Sequence, residues 1–418
     1  MSELESRFTG FFSGFNDFMV DTELKGSKEN HTVRVDVVLY YAEKPIACVE
    51  IKDHNRKEGL EEYLRVRLQT VQNSFDSVKF FFGLVGGAYY YYDDKRKELI
   101  GKSEYELFEM LLASIYDNAT KCNDLLDEFN KKVQNGEIED TFKKHIKKDS
   151  LLRYGKNIFL DSKEEISLML DLLKQQSSLK DYHNICRYTS AKSFFLSINK
   201  AFRVCSVEAM NDTLETKVID KDEILGKVNT ELSQYIYKGF IMCFTSIQRK
   251  DELFNWNMYG DRAKGVCFVA VPQEECTTDV FIAPVVYCSP TDKCELLHFL
   301  SKLLNEDIGG YKFVLRYWHL WKYFFKYDYY KDEEEVRVLF IKRKDASQED
   351  SQKDGIKMDW HPDNIPYYYI DVKKDELPFK IKEIVLGPKL ENKEEYKSYL
   401  QEHMKEVVIN GSRIEGYR

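Results

Sequence analysis

The chain has 418 residues, is 43% hydrophobic and 32% charged, and carries a net charge of −9. That length and apolar content allow two or three cored domains and exclude a disordered chain. The acidic balance excludes a protein that coats nucleic acid by bulk positive charge, while leaving room for a local basic groove or a metal-mediated contact.

The first residues, MSELESRFTGFF, lack a basic stretch followed by an apolar core, so no secretory leader is expected. The longest apolar run, VKFFFGLVGGAYYYY at 78–92, is too short and polar to span a bilayer, so the expectation is a cytoplasmic protein with no membrane partner. Nine cysteines without a CxxC, most inside apolar runs such as IACVEI and GVCFV, read as small buried residues of a reducing compartment. Eight scattered histidines offer no zinc spacing.

Residues 1–115 read as α/β. A helix-like SELESRFTGFFSGFNDFM precedes the strands TVRVDVVLYY and PIACVEIK. A helix follows, with Leu60, Leu64, Leu68, Val71 and Phe75 at helical spacing. VKFFFGLV and AYYYYDD then form a hairpin around Gly86-Gly87. Residues 116–180 read as a charged helical connector, in which KKHIKKD at 143–149 is a solvated helix end. From 181 to 418 short strands alternate with helices, a second domain of α/β or α+β type.

Asp36 interrupts the first of the paired strands, and Glu50 and Lys52 the second. Glu50 and Lys52 are two apart on one strand and share a face. Two carboxylates and a lysine are what a Mg²⁺-dependent nuclease needs to hold the metal and orient water. A plain four-residue loop at 42–45 would set Asp36 opposite Ile51, on the wrong face, so convergence requires an odd-length loop or a bulge. Glu23-Leu-Lys25 matches the same short motif by chance; strand context lifts the second match.

The order strand-Asp, strand-Glu-x-Lys, helix, apolar strand, Gly-Gly, strand resembles the PD-(D/E)XK restriction-endonuclease-like superfamily, closest to the N-terminal nuclease domain of type I restriction subunits. The resemblance implies that Asp36 and Glu50 bind Mg²⁺ and that Lys52 is catalytic. It offers Gln69 or Gln72 as the helix glutamine and Glu3 or Glu5 as an acid from the first helix. Asp53, beside Lys52, departs from the pattern.

The second domain carries Arg187-Tyr188, Asn211-Asp212-Thr213 with Glu215, Trp256…Tyr259…Gly265, and Glu333-x-Glu335 with Arg337. Taken singly, these are core aromatics, a turn and a solvated strand mouth. Their joint order resembles a widespread bacterial domain of unknown function, with Thr213 where that domain usually has Pro, and the arrangement looks like an ADP-ribosyltransferase. On that analogy Arg187 and Tyr188 anchor NAD⁺, Asn211 lies in the polar turn, Trp256 or Tyr259 packs on the nicotinamide, Glu335 is catalytic and Glu333 orients the acceptor. The absence of GxGxxG, GxxxxGK[ST] and GxSxG removes the Rossmann, P-loop and hydrolase-elbow readings.

The resulting expectation is an antiviral-defence or toxin effector that joins a nuclease-like domain to an NAD⁺-using transferase or NAD glycohydrolase. Its expected partners are nucleic acid, a second copy of the chain and an antitoxin or defence-system protein. Two alternatives stand beside it: a single-activity nuclease with a C-terminal ligand- or partner-binding domain, and a non-enzymatic nucleic-acid sensing module.

Overall fold

The computed structural model describes residues 18–28, 31–41, 44–52, 60–74, 78–85, 88–93, 95–102, 106–107, 110–111, 119–136, 141–179, 182–207, 218, 237–273, 279–290, 294–315, 317–343, 355–360 and 366–415. Of residues 18–28, 31–34, 41, 44, 52, 60, 61, 74, 237, 318, 319 and 343 it describes the backbone only. The chain is a mixed α/β protein with several sheets.

Six strands form the N-terminal sheet: β1 (Phe18–Lys28), β2 (His31–Tyr41), β3 (Lys44–Lys52), β4 (Phe80–Val85), β5 (Ala88–Asp93) and β6 (Glu98–Lys102), in that order. Helix α1 (Leu60–Ser74) crosses from β3 to β4, which pair in parallel. Its leucine stripe explains the packing. Leu64, Leu68 and Val71 are buried against Val38, Cys48 and Phe81, each contributing roughly 1.5–3 kcal/mol. Gly83, in register with Glu50, makes room for α1: a Cβ there would lie 2.3 Å from Leu64. Phe18 and Met19, expected to end a helix, open β1 instead.

Residues 116–180 are not the helical connector expected. Besides α2 (Leu126–Gln134), α3 (Thr141–His145) and α4 (Ser162–Gln176), they supply β7 (Thr120–Lys121), β8 (Leu151–Tyr154) and β9 (Asn157–Leu160). The hairpin β8–β9 turns at Gly155, which adopts φ +60°. These strands join β16 (Asp307–Ile308) and β17 (Tyr311–Phe313) in one sheet. A single hydrophobic core runs from Phe129 and Leu168 to Phe281, Trp321 and Leu339, so this segment is part of the C-terminal unit.

The large C-terminal sheet contains β10 (Ile185–Thr189), β11 (Phe202–Ser206), β12 (Tyr237–Ser246), β13 (Val266–Pro272), β14 (Val280–Pro284), β19 (Glu335–Arg343), β20 (Ile356–Trp360), β21 (Pro366–Val372), β22 (Phe379–Leu386) and β23 (Val408–Gly411). A two-stranded ladder, β15 (Val286–Cys288) with β18 (Phe325–Tyr327), lies beside it. Helix α5 (Ala191–Asn199) links β10 to β11, and α6 (Leu253–Met258), α7 (Glu295–Asn305), α8 (Trp318–Trp321) and α9 (Lys393–His403) follow. Among the described residues no helix is long and apolar enough to cross a membrane.

Candidate active site

Strand β12 creates the site. Along one edge β19 pairs with it from Tyr237 to Thr245. Its other edge carries two strands in succession: β11 meets Phe240 and Ile241, and β10 meets Thr245 and Ser246. Beyond these pairs β10 is held on its far side only, by β13, and β11 only by β21. The sheet therefore forks over Met242–Phe244. An open ladder leaves backbone groups needing partners, and here Arg187 on β10 donates through Nη1 to the Cys243 carbonyl. A cleft of about 760 Å³ occupies the fork, within the size range of small-ligand sites.

Helix α5 starts at this fork. Its N-cap Ser190 accepts the Ser193 N–H, and both serines line the cleft with Arg187. A helix start and an arginine facing the same space favour a negatively charged group there.

The opposite wall is a charge network. Glu335, the first residue of β19, is 4% exposed. Arg337, two residues on and on the same face, grips both its oxygens, Nε to Oε1 at 2.8 Å and Nη2 to Oε2 at 3.1 Å. Lys326 on β18 adds a bond to Oε2 at 3.3 Å. Burial alone would raise the pKa of Glu335, but Arg337 and Lys326 outweigh it and draw it down to about 2, so the group stays ionised. Lys326 also donates to Glu333 Oε2 at 2.8 Å. Between the two acids Glu334 adopts φ +44° and pairs outward with Arg249, a kink that turns Glu333 back toward Lys326.

Glu333 is 21% exposed, and its other oxygen accepts the Tyr259 hydroxyl at 2.7 Å. Tyr259 follows α6 and is 45% exposed, its hydroxyl held in the protonated form by partial burial and by Glu333. Arg187, Tyr188, Tyr259, Glu333 and Glu335, named from sequence, thus line one cleft. Trp256 does not reach it. Its ring is fully buried edge-on to Tyr188, and its indole N–H donates to Asp251 at 2.7 Å, so it braces the wall from behind. Tyr188 is itself 6% exposed, its hydroxyl bonded to the Arg249 carbonyl and the Glu252 amide. Asn211 lies outside the described residues.

Sequence reasoning missed Lys326 and Arg203, both lining the cleft. Lys326 had a signal: it is the lone cation within the aromatic run YFFKYDYY, where a cation survives burial only with partners.

In the N-terminal sheet the ladder between β2 and β3 slips between Leu39 and Tyr40, the irregularity that the loop length required. Its last pair is Val37 with Val49. Just beyond, the Asp36 carboxylate accepts the Ile51 N–H at 2.8 Å, in place of a ladder carbonyl. Glu50 is fully buried and pairs with Arg67 of α1 at 2.9 Å. The bulge therefore brings Asp36 to the Glu50–Ile51 step, but a guanidinium faces Glu50 and a backbone amide faces Asp36. Among the described residues no group of three acids, histidines or cysteines is placed to hold a metal ion. As arranged, these donors do not fit Mg²⁺, which takes carboxylates facing an open position. Gln69 and Gln72 are half-buried on α1; the Lys52 side chain and Glu3 and Glu5 lie outside the described atoms.

No protein-family model, curated protein or solved structure matches this chain.

Proposed function

We propose that the fork between β10 and β11 binds NAD⁺ and that the chain is an ADP-ribosyltransferase or NAD glycohydrolase. The observation that carries this reading is the convergence of Arg187, Tyr259, Glu333 and Glu335 on one cleft. Arg187 and the start of α5 suit the pyrophosphate, and the exposed ring of Tyr259 suits nicotinamide. When the bond from ribose C1′ to nicotinamide breaks, its electron pair leaves with the nicotinamide nitrogen and positive charge grows on the ribose. A fixed carboxylate opposite that charge lowers the barrier. An acceptor oxygen or nitrogen then bonds to C1′ and releases a proton; with water as acceptor the product is free ADP-ribose.

Both acids serve, but unequally. Glu335 has its two oxygens on Arg337 and Lys326 and acts as the anchor of Lys326. Glu333, at the rim between Lys326 and Tyr259, is the carboxylate we assign to the ribose. The test is NAD⁺ turnover by the purified chain, followed as nicotinamide release. Turnover lost in Glu333→Gln with an unchanged melting temperature supports the reading, and no turnover by the unaltered chain with any acceptor overturns it.

For the N-terminal sheet the reading we favour is a nuclease-like binding or sensing module. The observation behind it is the Arg67 guanidinium on Glu50, where a nuclease would hold metal. Mg²⁺-dependent cleavage of DNA or RNA that disappears in Glu50→Ala would overturn it in favour of an active nuclease. An NAD⁺-consuming effector is also expected to arrest growth on expression, and Glu333→Gln to relieve the arrest.

A further inference from the structure

The cleft continues past the pyrophosphate region to Arg203 on β11. Strand β11 lies two strand spacings from β19, roughly 10 Å across the sheet. A ligand whose ribose met Glu333 would extend toward Arg203. The arginine is held in an unusual way. Its guanidinium sits 3.9 Å above the centre of the Tyr369 ring, and Nη1 donates to Asp359 at 2.9 Å and to the Tyr367 hydroxyl at 3.1 Å. Tyr369 is the cross-strand partner of Cys205, which also lines the cleft. One guanidinium face is thus covered by Tyr369, its edge is tethered, and the side chain remains 47% exposed.

Such a group is poorly set to wrap a phosphate, because tethering fixes its plane and Asp359 already offsets its charge. It is well set to take a flat ring on its outer face, since planar guanidinium stacks on aromatic systems. We propose that Arg203, backed by Tyr369, stacks the adenine base and selects an adenine dinucleotide over a nicotinamide mononucleotide. This rests on the NAD⁺ reading above and deepens it. Arg203 is a specificity residue, distant from the bond that breaks.

The test is calorimetric titration of the full chain with NAD⁺, ADP-ribose and nicotinamide mononucleotide, for the unaltered protein and for Arg203→Ala and Arg203→Lys. The unaltered chain is expected to bind NAD⁺ and ADP-ribose more tightly than the mononucleotide. Both variants should weaken the two adenine ligands roughly tenfold, as losing one stacked base does, and leave the mononucleotide unchanged. The lysine variant keeps charge and removes the plane, so it separates stacking from electrostatics. Equal binding of NAD⁺ and mononucleotide by the unaltered chain overturns the proposal without any variant. So does a lysine variant that behaves as the unaltered chain, or loss of all three ligands together in folded variants, which would make Arg203 a phosphate ligand. A chain that binds none of the three removes the NAD⁺ reading itself.

Discussion

The two acid-bearing regions of this protein use the same residue types to different ends. In the N-terminal sheet Glu50 faces Arg67 and Asp36 faces the Ile51 amide. In the C-terminal fork Arg337 and Lys326 take up Glu335, but Glu333 stands at the rim of an open cleft, held by Lys326 and Tyr259. The lesson is one of layering. A buried acid with its own cations fixes the position of a lysine, and that lysine fixes a second acid where a ligand can reach it. Among the described residues the N-terminal acids show only the first layer.

Several measurements would break or sharpen this contrast. The largest effect is expected from Arg337→Met, which leaves Glu335 charged and buried without its main partner; removing one member of a buried pair costs about 3–5 kcal/mol, read as a lower urea midpoint. Arg67→Met should cost less, on the order of 2 kcal/mol, because Arg67 keeps some solvent access and water can partly replace it. Equal losses would mean that the two pairs are equivalent anchors. Glu333→Gln should cost little stability yet lower the NAD⁺ turnover rate by about a hundredfold or more, as removal of a transition-state partner does.

A fourth measurement is pH dependence. Glu335 falls from an ordinary 4.5 to about 2 on folding, so its ion pairs stabilise the fold fully above about pH 4.5 and lose that contribution as pH drops toward 2. Acid unfolding should therefore steepen in that window and flatten in Glu335→Gln. The smallest effect is expected from Tyr259→Phe. It removes one bond to Glu333 and keeps the ring, so turnover should fall by about tenfold with nicotinamide affinity retained.

Part of this architecture was legible in the sequence, and the reasons are physical. The helix stripe Leu64, Leu68, Val71 and the strands around it are local patterns, and they appear as α1, β2, β3 and β4. The β2–β3 bulge was legible because pairing parity is arithmetic on loop length. Residues 116–180 misread as a helical connector because β8 and β9 are four residues each, flanked by charged helices, and the partner of β9, β17, comes from Tyr311–Phe313. No local signal announces a partner so far along the chain. Arg67 on Glu50 and Arg203 on Tyr369 are likewise tertiary pairings between separate elements, silent in a linear reading. Trp256 and Tyr259 were equal candidates to face a ligand, since spacing cannot tell the cleft side of a wall from its back; Tyr259 lines the cleft and Trp256 is buried behind it.

The measurement closest to the central claim is nicotinamide release from NAD⁺ by the purified full chain, compared with Glu333→Gln and Glu335→Gln under identical conditions. The account predicts turnover by the unaltered chain, near-complete loss with retained melting temperature in Glu333→Gln, and a loss accompanied by a lower melting temperature in Glu335→Gln. Turnover undiminished in Glu333→Gln would contradict it.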